Sequence, residues 1–157
     1  RKVRAMPKLA LAVSAACHVI LAARVHTGSG SDQPDFVPLL RSAKRRWSAA
    51  VRVVVADAGY DSEQHHRIAR QQMKVRSIIP AAIGRPSSKP PRGRYRRLMR
   101  QRFARKADRK HYGQRAQSET VNSMMKRNFG DALRSVKPQR REKEMLLRAM
   151  AHNIMLL

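Results

Sequence analysis

Apolar residues gather early in two short runs, Lys8–Val13 (KLALAV) and His18–Val25 (HVILAARV), separated by Ser14-Ala15-Ala16-Cys17. Runs this short, the second with β-branched residues near its start, predict two antiparallel strands joined by a tight connection. Gly, Ser, Asp and Pro fill His26–Pro34, which predicts a loop. No Gly-Lys-Ser/Thr follows it, so a plain turn is favoured over a phosphate cradle. Helical spacing then takes over: Phe36, Leu39, Leu40, Ala43 and Trp47 share one face of a helix expected from Asp35 to Ala49. Asp35 stands where a cap belongs, and Pro38 falls in the first turn, where proline is tolerated. The near-continuous apolar run Val51–Ala56 predicts a strand covered on both faces. It ends at Asp57-Ala-Gly-Tyr. Asp61 or Ser62 can cap a helix from Glu63 to Met73. Val75–Ile79 predicts another strand, stopped by Pro80. The helical period returns from Tyr112 to Asn128. It returns again from Gln139 to the end, where Leu146, Ala149, Met150, Asn153, Ile154 and Leu157 make the expected buried face. The order β-β-α-β-α-β, an insertion, then α-α predicts an α/β domain whose last helices pack on a sheet.

Length and charge narrow the reading. The 157 residues suffice for one domain with a modest core. We divide it into a first part, 1–80, a basic Pro/Arg-rich insertion, 81–111, and a helical part, 112–157. The net charge of +25 points to a polyanionic partner, most simply nucleic acid, with anionic membrane as the weaker alternative. No apolar run approaches the roughly 18–20 residues of a membrane span. The insertion carries twelve bases from Arg85 to Lys110 against one acid, Asp108. Arg94, Arg96 and Arg97 are its candidate DNA contacts; the alternative is a solvated linker. The single cysteine, Cys17, excludes an internal disulfide and points to a reducing compartment. With ten acids among 35 bases, each carboxylate is informative: it is paired or it does chemistry.

Two acids stand out. Asp57 directly follows a strand and precedes Gly59, and ligands of open α/β sheets collect at carboxyl strand ends. An ordinary turn aspartate is an equal reading. Glu119 belongs to a helical segment in which, at about 100° per residue, Tyr112, Arg115, Glu119 and Lys126 share an arc of about 60°. Val121, Met124 and Met125 take the opposite side. That polar stripe is either a surface ion-pair helix or a face turned to phosphate and metal. His65-His66 reads as a polar helix face, and His152-Asn153 as a buried, hydrogen-bonded pair.

The spacing Tyr112-(2)-Arg115-(3)-Glu119-(6)-Lys126 resembles the Y-(2)-R-(3)-E-(6)-K signature of the DDE transposases of bacterial insertion sequences. Val54-Val-Ala-Asp57-Ala-Gly-Tyr-Asp61 is similar to the strand that bears their second catalytic aspartate. Arg76-Ser-Ile-Ile-Pro80, Tyr95-Arg-Arg, Phe129-Gly130 and His152-Asn153 are similar as well, so the likeness runs along essentially the whole chain. It implies a ribonuclease-H-like mixed sheet flanked by helices, with the insertion placed before the Glu-bearing helix. It implies Asp57 and Glu119 as catalytic metal ligands, and Tyr112, Arg115 and Lys126 as DNA contacts. It further implies Mg²⁺ or Mn²⁺ in a two-metal site, transposon ends and target DNA as partners, and a place in the bacterial cytoplasm at the nucleoid. Self-association is left open.

One departure stands beside the likeness. The family's first aspartate lies on a strand before a hairpin like residues 8–25, and nothing before residue 8 is acidic. The resemblance therefore implies a chain that starts after that strand and holds two of three metal ligands. Such a chain binds DNA but scarcely cleaves it. A non-catalytic DNA-binding remnant is the alternative. RNA binding is disfavoured by the low aromatic content.

Overall fold

The computed structural model describes residues 7–27, 30–82 and 90–157. Part of the expected loop at 26–34 and of the basic insertion, residues 28–29 and 83–89, lies outside them. In chain order the elements are β1 (Pro7–Val13), β2 (Ile20–Thr27), α1 (Phe36–Arg46), β3 (Val53–Val55), α2 (Glu63–Arg67), β4 (Arg76–Ile78), α3 (Arg94–Ala104), α4 (Arg109–Gly113), α5 (Ala116–Phe129) and α6 (Pro138–Met155). This is a mixed α/β chain with two compact units, Arg1–Ser31 with Ala116–Leu157, and Asp32–Arg115.

The discontinuous unit is the expected hairpin covered by α5 and α6. β1 and β2 pair antiparallel from Pro7↔Thr27 to Val13↔Ile20, with a register shift at Ala12/Val13. The pleat sends Leu9, Leu11, Val13, Ile20 and Ala23 to one face, where they meet Val121, Met125, Phe129 and Ala149. His18, at φ +59°, turns the chain between the strands.

α6 is rolled relative to the expected face. Ala149 and His152 are buried, while Leu146, Met150, Ile154 and Leu157 are exposed. The cause lies in the hairpin. At the register shift, Ile20 N–H donates to Asn153 Oδ1 (2.8 Å) and Asn153 Nδ2 donates to Ile20 O (2.9 Å). His152 Nε2 donates to His18 O at 3.1 Å. Buried peptide groups need partners, and this demand outweighs burial of the leucine and isoleucine stripe.

In the continuous unit, α1 buries Phe36, Leu39, Leu40 and Ala43 as its spacing predicts. It ends at Arg46, and Trp47 is 49% exposed rather than buried. Lys44 Nζ donates to Ser48 O and Val51 O there, so the carbonyls leaving the helix are met by a cation. β3 and β4 run parallel, Val53 opposite Arg76 and Val55 opposite Ile78, connected through α2. β3 is short, Val53 is 38% exposed, and the strand is not covered on both faces. The more deeply buried strand is β4: Ser77 and Ile78 are inaccessible along with flanking Val75 and Ile79, and Arg76 is partly exposed. Phe36, Leu40, Ala69, Val75 and Ile79 form the core, with Val51, Val54 and Tyr60 against it.

The helix expected over 63–73 starts at Glu63 but widens into a π-turn at Ile68–Gln72. Ala69 O accepts from Val75 N–H at 2.8 Å and Met73 N–H reaches Ile68 O, so the extra residue carries the chain straight into β4. His66 is wholly buried, not part of a polar face. The described part of the basic insertion is no solvated linker either. α3 packs on α2, Met99 is inaccessible, and Asp108 is buried against Arg76 and Arg102.

Candidate active site

β3 ends at Val55, and Ala56 N–H still reaches Ile78 O. Asp57 follows in an extended conformation (φ −68°, ψ 160°) and opens the single turn Ala58–Tyr60, with Tyr60 N–H donating back to Asp57 O. Leaving the sheet at this point turns the carboxylate outward, and its side chain is 58% exposed. Two residues from more than fifty positions downstream reach it. Tyr112 OH donates to Oδ1 at 3.5 Å, and Arg115 Nη1 stands 3.3 Å from Oδ2. Three residues of the sequence pattern thus meet inside one compact unit.

The placement of Tyr112 rests on α4 and on packing. Its ring meets Phe103 edge-on, with centroids 5.0 Å apart. Burial, then the Asp57 charge, raises the phenol above its ordinary range, so it stays a proton donor. Arg115 lies beyond α4, in a turn where Gln114 N–H and Arg115 N–H bond three residues back. That tighter turn interrupts the helix expected to run from Tyr112 to Asn128, so the 100° count does not carry through it. Within α5 the spacing holds: Glu119 and Lys126 are seven residues apart, hence on the same side, and both are exposed, with Val121 and Met125 buried.

The basic residues divide. Arg94 and Arg97 are exposed. Arg96 is turned inward, its Nε 2.8 Å and Nη2 2.7 Å from Asp61 Oδ2. Two further groups of acids carry no local sequence signal: Asp61 and Glu63 with buried His66 beside the start of α3, and Asp108 between Arg76 and Arg102. The scarcity of acids was the available signal, because each of these three carboxylates is paired.

For a divalent cation the relevant chemistry is hard oxygen donors. Asp57 offers an exposed carboxylate whose contacts to Tyr112 and Arg115 are long, which suits one ligand of Mg²⁺ or Mn²⁺. Among the described residues no three His, Cys, Asp or Glu side chains form a metal-binding group, and no helix is long and apolar enough to cross a membrane.

Residues 1–154 match a family model described as the transposase DDE domain. No curated protein and no solved structure matches the chain.

Proposed function

The chain belongs to the transposase DDE domain family, and from that membership we propose that it is the part of a transposase that grips DNA at the strand to be cut and joined. In this reading its sheets belong to a ribonuclease-H-like arrangement. The observation that carries the reading is the approach of Tyr112 and Arg115 to Asp57. An acid at a strand end, flanked by a planar cation and a phenol, suits a phosphodiester whose bridging bond is broken and remade.

Each side chain has a task that follows from its chemistry. Asp57 and Glu119 are the hard-oxygen ligands. A bound pair of Mg²⁺ or Mn²⁺ ions would polarise the phosphoryl group and lower the proton affinity of the attacking oxygen. Arg115 holds a non-bridging phosphate oxygen, with a fork that can engage two at once. Tyr112, kept protonated, donates to the backbone beside it. Lys126 holds a second phosphate as a point charge. Arg94 and Arg97 extend the grip along the duplex, while Arg96 serves internally. With two of the signature acids, this stretch of chain binds DNA and nicks it scarcely, because ion position governs in-line geometry.

The test is binding and nicking of end-labelled duplex in Mn²⁺. We expect log affinity to fall steeply with log salt, and Arg115→Ala to flatten that slope by about 1. Failure to bind duplex sinks the DNA reading. Robust nicking abolished by Glu119→Gln overturns the expected inactivity.

A further inference from the structure

Immediately after the Asp57 turn, two acids seize the start of the basic helix. Glu63, in the first turn of α2, accepts from the backbone N–H groups of Tyr95 and Arg96, each at 3.1 Å. These are amides that a helix cannot satisfy itself, so a side chain from another helix caps α3. The fit is close. Gly93 has φ +99°, and a Cβ there would lie 2.3 Å from Glu63 Oε2. Asp61 is buried beside it, with Oδ2 accepting from Ala82 N–H (2.8 Å) as well as from the Arg96 guanidinium. The Tyr95 ring is also fixed: the Arg70 and Arg94 guanidinium carbons lie 5.5 and 5.9 Å from its centroid, and Gln71 donates to its hydroxyl. At the far end of α3, Asp108 takes Arg102.

These contacts sort the arginines of one helix. Arg96 and Arg102 are matched by acids on the inner side. Arg94 and Arg97 are exposed, three residues apart on the outer side. We infer that Asp61 and Glu63 are positioning residues for nucleic acid: they set the start and roll of α3 so that Arg94 and Arg97 form a fixed row for the phosphodiester backbone. The inference rests on the DNA reading above. Its consequence opposes simple electrostatics. Removing an acid from a polycation should tighten its hold on DNA; removing the Glu63 cap weakens it.

Two variants of equal charge separate the effects. Glu63→Gln keeps an acceptor for the Tyr95 and Arg96 amides, and Glu63→Ala does not. Binding of the whole chain to a fluorescein-labelled duplex is followed by anisotropy across a salt series. Glu63→Gln should bind within about twofold of the unmodified chain. Glu63→Ala should bind about tenfold more weakly, with a salt slope shallower by about 1–2. Glu142→Gln, the charge control on α6, should bind no more weakly than the unmodified chain. Equal binding by the Gln and Ala variants overturns the inference, as does Glu63→Ala binding at the unmodified level. Amide hydrogen exchange at Tyr95 and Arg96 reads the clamp without DNA: unchanged protection in Glu63→Ala refutes it even if DNA binding by the unmodified chain is sound. Should Glu63→Ala fail to fold, Glu63→Asp retains the charge and shortens the reach; it should show faster exchange at both amides and weaker binding, and unchanged values for both refute the clamp. No binding by the unmodified chain refutes the DNA reading instead, and with it the purpose of the clamp.

Discussion

His66 gives the sharpest stability test. Its ring is wholly buried between α2, β4 and α3. Ser77 Oγ lies 2.7 Å from Nδ1 and accepts from Arg70 Nε at 2.9 Å, so one hydroxyl bridges the ring and the guanidinium. Nε2 faces Asp61 Oδ1 at 3.8 Å, too far for a hydrogen bond. Burial pulls the pKa from 6.5 to about 4; Asp61 and Glu63 oppose the shift, and Arg70 and His65 add to it. The folded chain therefore binds fewer protons than the unfolded chain between pH 4 and 6.5, and stability falls as pH drops through that window. The loss is about 2 kcal/mol between pH 7 and pH 5, and about 3 kcal/mol for the whole shift. The single tryptophan, Trp47, belongs to the same compact unit, so urea unfolding followed by its fluorescence reports on that unit. The midpoint should fall on acidification at constant m-value. His66→Gln, which offers Ser77 a partner but no titration, should be flat from pH 6.5 to 5. A midpoint in the unmodified chain that stays level or rises over that range would refute the reasoning.

Three further outcomes follow. Asp108→Ala leaves Arg76 and Arg102 without their shared acid; since both are partly exposed and can rehydrate, the cost should be about 2–3 kcal/mol in the same unfolding assay. Asn153→Ala strips both peptide groups of Ile20 of their partner and should cost about 1–3 kcal/mol, read by circular dichroism of the hairpin unit. Glu144 accepts from the Ser135 and Arg134 amides and then from Arg148, which lowers its pKa from 4.5 to about 2. Its contribution is present above pH 4.5 and is lost as pH falls through about 2, so carbon-13 NMR of the side-chain carboxyl should titrate near pH 2 and Glu144→Gln should abolish that pH dependence.

What the sequence made legible was short-range. The hairpin, the buried face of α1 and the apolar side of α5 follow from periodicity, because each is decided by residues two to four apart. The approach of Tyr112 and Arg115 to Asp57 was foreshadowed only by a family spacing, since nothing local records a contact across more than fifty residues. His152 and Asn153 are legible as a hydrogen-bonded pair, but the roll of α6 is not, because the hairpin backbone groups they bond, which outweigh the apolar stripe, carry no sequence signal. The burial of His66 is illegible for a related reason: its ring meets Ser77 and, through it, Arg70, and the π-turn that carries Arg70 has no periodic signature. Asp61 and Glu63 look like ordinary helix-start acids; only the distant Gly93 shows why the chain there must be bare of a side chain.

The discontinuity of the hairpin unit bears on synthesis. Ile20 and Asn153 are 133 positions apart, so at 5–20 residues per second a ribosome supplies the hairpin's partner helix roughly 7–27 s after the hairpin itself. During that interval the stretch Asp32–Arg115 is complete and can settle first. Leu9, Leu11 and Val13 meanwhile wait uncovered on a nascent polypeptide, an apolar face open to aggregation until α5 and α6 arrive.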